Sequence, residues 1–378
     1  MSVLKKIFFL SLFVLAVSLL FWGVYNLSFK NNSATTAKKT DADTAQNATP
    51  ADEVGKITAV SKETVLAPVL SSDKNSIDYL SKKTGQLFQI DFYGNVQKTL
   101  SFENISDPLD AAWSVDRSKI IVKTDDAKTP FSFYDLAAKT SAPLKSNLDQ
   151  VSWQINANRI LYKYYDAETK TRTLNVSDPD GKNWTKLSDI PYKNLSVAQI
   201  PRTGLISFWN SGDAYLPANF QSMPVVGGDI ATLDTKNFGA DYLWDNSGQW
   251  ALVSHTDAKG GTKMELGLMN SRGGEYKNLE IPTFITKCVW SNDGKIVFYA
   301  LPGGIPDNSV LPNDYKDGKF QTTDTFWKVD IATGKKTRVV EVGSIKGQYD
   351  ASQLFLNQGE SLLFFVNKLD GKIYKLAL

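Results

Sequence analysis

The sequence predicts an all-β fold, a seven-bladed β-propeller of four-stranded antiparallel blades, preceded by one N-terminal transmembrane helix. A hairpin-like segment returns along the chain about every 40 to 45 residues, which is the spacing of a four-stranded blade. A second motif follows most of these hairpins, and a long uncharged stretch lies near the N-terminus. Of the 378 residues, 42% are hydrophobic and 12% aromatic, which is enough to bury a large core of stacked sheets.

The clearest copy of the hairpin is the segment 287–300, KCVWSNDGKIVFYA. An apolar run ends at Trp290, the turn 291–294 reads Ser-Asn-Asp-Gly, and 296–299 form a returning strand. Asp-Gly suits such a turn because glycine adopts the required backbone angle without strain. The positions equivalent to Trp290 are occupied, in chain order, by Leu70, Trp113, Trp153, Ala198, Trp244, Trp290 and Phe355. These seven positions predict seven blades.

The second motif is an aromatic or aliphatic strand followed by an acidic residue or asparagine and, in most copies, a glycine turn. Its copies begin at residues 87, 131, 174, 266 and 326, and they predict the third strand of each blade. Together, WSNDGKIVFY and WKVDIATGK resemble the TolB-type, WD-repeat-like propellers, in which a W-S-x-D-G hairpin precedes an aromatic-x-x-D-x-x-x-G strand and turn. The resemblance covers roughly residues 55 to 378 and implies a fold but no particular activity.

The two ends of the propeller domain, residues 56–378, predict how the ring closes. The last unit stops at 372–378, which by register is a third strand with no fourth strand behind it. The isolated strand KITAVS, 56–61, precedes the first hairpin. We expect it to supply the missing outer strand of the seventh blade, because this pairing removes two exposed sheet edges.

The N-terminal segment 1–27 is predicted to be a short cytoplasmic end and a transmembrane signal anchor. Lys5 and Lys6 precede the uncharged residues 7–25, which would span about 28 Å as a helix, close to the hydrocarbon thickness of a bilayer. The rival interpretation is a cleaved signal peptide, whose apolar region is usually shorter. Phe21 and Trp22 are typical of an interfacial aromatic belt and favour the anchor.

Residues 28–55 are rich in Ala, Thr, Asn, Asp and Lys without apolar periodicity, which predicts a flexible polar linker. With the two lysines on the cytoplasmic side, the propeller would lie outside the cytoplasm as a single-pass protein of the cell membrane. We expect it to be monomeric. The net charge of +2 argues against a nucleic-acid partner.

Few residues suggest chemistry, and we predict no catalytic residue, metal site or cofactor. His255 is the only histidine of the chain, so a site with several histidine ligands is excluded. Cys288 is the only cysteine; it lies on a predicted strand and is expected to be a buried structural thiol. Asp178 and Asp180 resemble the start of a calcium loop, but a turn rich in Asp, Pro and Gly explains them with fewer assumptions.

Two functions remain open. The first is a non-catalytic module that binds a protein or a cell-envelope polymer. The alternative is a propeller-type glycan hydrolase or lyase that uses carboxylates facing the channel, for which two carboxylates should meet in a concave pocket about 5 to 10 Å apart.

A long insertion in the sixth unit, residues 301–324, is where a partner is expected to bind. It joins a second strand to a third and should lie beside the linkers 191–195 and 236–241. The candidate contact residues are Asp314, Tyr315, Asp317 and Phe320. The competing interpretation is that the two aromatic rings fold back and cover the blade.

Overall fold

The computed structural model describes residues 55–378, which form seven four-stranded antiparallel sheets. This confirms the predicted seven-bladed β-propeller. Blades 1 to 3 comprise β2 (Val65–Leu70), β3 (Ile77–Ser81), β4 (Leu87–Ile90), β5 (Val96–Thr99), β6 (Pro108–Trp113), β7 (Lys119–Thr124), β8 (Phe131–Asp135), β9 (Thr140–Pro143), β10 (Leu148–Trp153), β11 (Ile160–Asp166), β12 (Thr171–Ser177) and β13 (Thr185–Asp189). Blades 4 and 5 comprise β14 (Leu195–Gln199), β15 (Leu205–Asn210), β16 (Phe220–Pro224), β17 (Ala231–Asp234), β18 (Asp241–Trp244), β19 (Trp250–Thr256), β20 (Met264–Asn270) and β21 (Lys277–Asn278).

Blades 6 and 7 carry the insertion and the closure of the ring. They comprise β22 (Cys288–Trp290), β23 (Ile296–Gly303), β24 (Thr323–Asp330), β25 (Lys336–Arg338), β26 (Ala351–Leu356), β27 (Leu362–Asn367), β28 (Lys372–Ala377) and β1 (Ile57–Ala59). One short α-helix, α1 (Asn313–Lys316), lies in the insertion, and 3₁₀ turns occur at Ile285–Lys287 and Val342–Ser344.

The ring closes as the sequence predicts. Strand β1 pairs antiparallel with β28, and Ile57 lies opposite Leu376. The pairing continues beyond the strand, since the Val60 amide donates to the Ile373 carbonyl at 2.7 Å. The first strand of the described chain is therefore the outer strand of the last blade.

The first strand of each blade lies innermost in the ring. The first strands of blades 1 to 4 contact one another in turn, and β26 of blade 7 contacts both β22 of blade 6 and β2 of blade 1. We call the face on which these strands begin the loop face, because the connections from second to third strand also lie there. The opposite face carries the tight turns between first and second strands, and we call it the hairpin face.

The repeated tryptophans join neighbouring blades. The indole of Trp113 donates to the Ala67 carbonyl of the preceding blade at 2.9 Å, and that of Trp153 donates to the Ala112 carbonyl at 2.7 Å. Trp290 makes the same kind of bond to Leu243 at 3.2 Å. A buried indole needs a hydrogen-bond partner, and the adjacent inner strand supplies it.

The core lies between the blades. Seven clusters of buried hydrophobic residues in the described chain each combine side chains of two adjacent blades. Phe220 of blade 4 stacks on Tyr242 of blade 5 with ring centroids 3.8 Å apart, and Phe326 of blade 6 lies 4.9 Å from Phe365 of blade 7. Each blade is thus stabilised by both of its neighbours.

The predicted anchor 7–25 lies outside the described residues, as does the predicted linker 28–55 up to residue 54, and the membrane topology stays a prediction. Within 55–378, none of the helices has the length and apolar character that crossing a bilayer requires.

Candidate functional site

The insertion lies on the loop face, as predicted, but its two ends are paired as strands. Strands β23 and β24 extend into it and pair Leu301 with Thr325 and Pro302 with Asp324. The remaining residues pass over blades 4 and 5, where the Leu311 amide donates to the Gly261 carbonyl at 3.0 Å. The Asn313 side chain accepts a hydrogen bond from the Ala214 amide at 2.9 Å.

The exposure that we expected of Tyr315 is wrong. Its side chain is only 4% exposed and stacks on Phe284 with ring centroids 4.4 Å apart. Phe320 is half-buried against Tyr315, with a centroid distance of 5.7 Å. Both rings belong to a small hydrophobic cluster that fixes the insertion to the blade. Their burial corresponds to our competing interpretation, in which the rings cover the blade.

The two acidic candidates lie nearer the surface. The Asp314 carboxylate accepts the Val310 amide at 2.7 Å and the Lys319 ammonium group at 2.6 Å, so it holds the turn of the insertion together. Asp317 is exposed. Whether either residue contacts a partner stays a prediction.

A buried ionic cluster lies beneath the insertion. The ammonium group of Lys287, with a side chain 0% exposed, donates to Asp324 at 2.6 Å, to Asp350 at 2.7 Å and to the Ala351 carbonyl at 2.8 Å. All three of its donors are therefore satisfied, as a buried charge requires. The Tyr315 hydroxyl donates to the same Asp350 carboxylate at 2.5 Å.

The two carboxylates of this cluster have different protonation tendencies. Burial raises the pKa of Asp324, and the charge of Lys287 only partly offsets this effect. Burial would also raise the pKa of Asp350, but hydrogen bonds from Lys287 and Tyr315 bring it below its usual value. Neither side chain is exposed, so the pair cannot contact a substrate directly.

A cavity of about 350 Å³, the inner cavity, opens beside the insertion on the loop face. Its volume is at the lower end of the range for small-ligand sites. The lining side chains come from blades 5, 6 and 7 and from the insertion, and they are Asp241, Ser254, Phe284, Ile285, Thr286, Pro312, Tyr315, Lys316, Ser352, Gln353, Val366 and Lys368. Because β18 and β26 are innermost strands, the cavity lies where the inner strands of the ring begin.

Asp241 is the one carboxylate among the lining side chains. It opens β18 and accepts hydrogen bonds from the Trp209 indole at 2.9 Å and from the Tyr242 amide at 3.1 Å. Burial raises the pKa of Asp241, and the nearby charge of Lys316 together with these bonds opposes the rise. A carboxyl group in this state can serve as a proton donor nearer to neutral pH than an ordinary aspartate.

The pKa of Lys368, in contrast, is lowered. Its ammonium group lies over the Tyr315 ring, 3.8 Å from the centroid. Although Lys368 is exposed, loss of hydration lowers its pKa, the charge of Lys287 lowers it further, and Asp350 opposes both. A lysine with a lowered pKa can act as a base. The inner cavity therefore combines a shifted acid with a shifted base, a pairing typical of catalytic sites.

His255 and Cys288 do not contribute to this site. The His255 ring is held between the Thr256 carbonyl at 2.8 Å and the Tyr276 hydroxyl at 2.6 Å. Cys288 is 5% exposed, and burial raises the pKa of its thiol, which confirms the expected structural role. Among residues 55–378, no group of three or more His, Cys, Asp or Glu side chains is arranged to hold a metal ion.

Comparison with known proteins shows similarity at the level of the fold. No protein-family model matches the chain, and no curated protein sequence matches it. An oligogalacturonate lyase in complex with manganese superposes with a TM-score of 0.61 and 11% identity, covering 85% of this chain and 90% of that chain. The oligogalacturonate lyase of Vibrio parahaemolyticus superposes with a TM-score of 0.62 and 9% identity, covering 84% and 92%.

A third similar structure is the β-propeller domain of Cps50 (Swd1) from Myceliophteria thermophila. Its TM-score is 0.53 at 9% identity, and the match covers 85% of this chain and 99% of that chain. A β-propeller domain is thus among the matched structures, which agrees with the propeller fold expected from the repeats.

The comparisons contradict our first functional hypothesis, a non-catalytic binding module. The two lyases that superpose over most of both chains are enzymes, and this favours the alternative hypothesis of a propeller-type enzyme. At these identities the similarity itself shows only a shared fold. One of these lyases was solved with manganese, whereas the described residues of this chain contain no group of three or more His, Cys, Asp or Glu side chains arranged to hold a metal ion.

Of the four candidate residues, Tyr315 lines the inner cavity, but the charged residues of that cavity were not identified from the sequence. Asp241 and Lys368 belong to different blades, and no local motif marks either of them. Lys287 offered a signal, because it is a charged residue directly before the apolar segment CVW. A lysine in such a position needs a buried counter-charge, although the sequence does not tell which carboxylate supplies it.

Proposed function

We propose that the chain is a propeller-type lyase that cleaves an acidic glycan in the inner cavity. The observation that carries the proposal is the lining of that cavity, where Asp241, Lys316 and Lys368 come together. The similarity of the fold to two oligogalacturonate lyases suggests uronate-containing oligosaccharides as the substrate class.

Charge supports an anionic substrate. The cavity carries two lysines and one carboxyl group, whose pKa is raised. Lys316 is exposed and lies at the rim, where its ammonium group can pair with a sugar carboxylate. Such pairing favours an elimination, because the carbon next to a neutralised carboxylate loses its proton more readily.

The described residues can supply each proton transfer of an elimination. Lys368, in its neutral form, removes the proton from the carbon next to the substrate carboxylate. The electrons of that C–H bond form a carbon–carbon double bond, and the bond from the adjacent carbon to the glycosidic oxygen breaks. Asp241 gives its proton to the leaving oxygen, and solvent then returns both groups to their starting states.

Hydrolysis receives less support from the same geometry. A glycoside hydrolase generally needs two carboxyl groups facing the scissile bond. Asp241 is the one carboxyl group among the described lining side chains, and Asp324 and Asp350 are covered. We therefore favour elimination.

The proposal is tested by incubating the full-length chain with galacturonate oligosaccharides and recording the ultraviolet absorbance of the unsaturated product. We expect Lys368→Met and Asp241→Asn each to lower kcat by about 10²- to 10⁴-fold, because each removes a group that transfers a proton. Lys335→Met, at an exposed turn of blade 6, is the matched control and should retain full activity.

Two results would count against this assignment. New reducing ends without the unsaturated product would indicate hydrolysis. Full activity in both the Lys368 and the Asp241 variants would place the reaction outside the inner cavity.

A further inference from the structure

A second and larger concavity lies on the loop face beside the inner cavity. This blade 4 groove has a volume of about 680 Å³. It is lined by residues 191–194 before β14, by 210–213 and 216–217 at and beyond the end of β15, and by Asn219. Asn313, Lys316 and Asp317 of the insertion form the remaining wall.

Helix α1 separates the groove from the inner cavity, and Lys316 borders both. Its ammonium group donates to the Gly212 carbonyl of the groove at 2.9 Å, and its charge acts on Asp241 in the inner cavity. A chain-like ligand that occupied both concavities would therefore pass Lys316.

Several polar groups of the groove are fixed before any ligand arrives. The Asn210 amide donates to the Pro217 carbonyl at 3.1 Å and accepts from the Asn219 backbone amide at 2.6 Å. The Asn219 side chain donates to the Tyr192 hydroxyl, which itself donates to Gln221 at 3.0 Å. Groups that are already positioned lose little entropy on binding.

The same groove also offers apolar surface. Leu216 is 56% exposed, and the rings of Pro191 and Pro217 and the half-buried Tyr192 line it too. A sugar unit presents hydroxyl groups at its edge and C–H groups on its faces. Amides and a tyrosine hydroxyl among apolar side chains suit both parts of such a ligand.

Two aspartates and two lysines line the groove, and of the aspartates Asp317 is exposed. Asp213 accepts hydrogen bonds from the Asn313 side chain at 3.1 Å and the Tyr215 amide at 2.9 Å. Lys193 and Lys316 are exposed at the rim. Two lysines are thus accessible to the carboxylates of an acidic sugar chain.

We propose that the blade 4 groove binds the sugar units of an acidic oligosaccharide that lie beyond the disaccharide containing the reacting bond. This inference rests on the proposed function, because the reacting unit is placed in the inner cavity. It predicts that the chain prefers oligosaccharides that fill both concavities over a disaccharide.

The test measures binding of galacturonate di- and tetrasaccharides by titration calorimetry in the full-length Lys368→Met chain, which should consume them only slowly. We expect the tetrasaccharide to bind about tenfold more tightly than the disaccharide, a modest gain for a second set of contacts. Asn194→Trp should remove this difference, because Asn194 is exposed and the larger ring would fill the groove. Disaccharide binding should not change.

Asn158→Trp is the matched control, since Asn158 is exposed in the tight turn between β10 and β11 on the hairpin face. Added to the Lys368→Met chain, this substitution should leave the affinity for both oligosaccharides unchanged. Lys193→Glu provides a second variant that adds no bulk, and it should weaken tetrasaccharide binding selectively. Unchanged tetrasaccharide binding in both groove variants would overturn the inference, as would equal affinity for the two lengths or no binding of either.

The outcome for catalysis is read separately from the unsubstituted chain. If no unsaturated product forms while the length-dependent binding persists, the proposed lyase activity fails and the groove assignment stands. If product forms at the same kcat/KM from both lengths, the lyase assignment stands and the groove assignment fails.

Discussion

At the scale of single residues, the repeated hairpins are held by a Ser-x-Asp arrangement. Ser114 donates to Asp116 at 2.6 Å, and Ser291 donates to Asp293 at 2.7 Å. In each turn the backbone amide two positions beyond the aspartate also donates to it, at 3.1 Å. The serine hydrogen bond is the largest cause of a lowered pKa at both Asp116 and Asp293. These turns therefore favour the ionised carboxylate.

The lowered pKa values predict how the stability of the propeller depends on pH. The unfolded chain binds protons at these two aspartates near the ordinary pKa of about 3.9, whereas the folded chain binds them only at lower pH. Their contribution to stability is complete above that value and is lost as the pH falls through the folded pKa. The double variant Asp116→Asn/Asp293→Asn should therefore have a lower melting temperature than the unsubstituted chain near neutral pH. Below about pH 4 the difference between the two melting temperatures should be smaller.

Thermal unfolding across this pH range measures the effect, and Asp125→Asn, at an exposed loop position, is the control. A difference between the double variant and the unsubstituted chain that grows on acidification would contradict the prediction.

At the scale of elements, closure of the ring depends on one short strand. β1 has only three residues, yet Ile57 packs against the cluster between blades 6 and 7. Beyond its ends, the Gly55 amide donates to the Ala377 carbonyl at 2.9 Å, and Ser61 accepts the Ile373 amide at 2.9 Å. Without these residues, β28 would present an unpaired edge.

We expect the free energy of unfolding of a chain that begins at residue 62 to be several kcal/mol lower than that of a chain that begins at residue 52. The loss combines the hydrogen bonds of β1 with the apolar surface of Ile57 and Val60. Urea denaturation of both chains measures the difference. Equal midpoints would show that β1 contributes nothing to closure.

At the scale of the whole molecule, the buried ionic cluster connects blade 6, blade 7 and the insertion. Lys287 precedes β22, Asp324 lies on β24, and Asp350 directly precedes β26. Through Asp350 the cluster also holds Tyr315, over which the proposed base Lys368 is placed. The geometry of the inner cavity therefore depends on contacts between blades.

Lys287→Met should lower the free energy of unfolding by about 3 to 5 kcal/mol, because it leaves two carboxylates buried without their cation. Chemical denaturation near neutral pH measures this loss, with Lys335→Met at an exposed turn as the control. The loss should shrink in acid, where protonation removes the uncompensated charges. A change below about 1 kcal/mol, the range of surface ion pairs, would mean that the cluster is not stabilising.

The sequence by itself determined the architecture, because a propeller repeats a local pattern. Spacing identified seven hairpins, and the tryptophan positions mark the ends of inner strands, where indoles such as Trp113 bond to the preceding blade. Closure of the ring by β1 was also predictable from the sequence. Each end of the domain had one strand without a partner, and pairing these two strands leaves no open sheet edge.

The tertiary structure alone decided the site. Asp241, Lys316 and Lys368 are far apart in the chain and become neighbours only when blades 5 and 7 and the insertion meet around the ring. Burial of Tyr315 followed from the position of Phe284 and Asp350 beneath it, which no local pattern specifies. A local repeat fixes how each blade folds, whereas the chemistry on the loop face depends on side chains that different blades bring together.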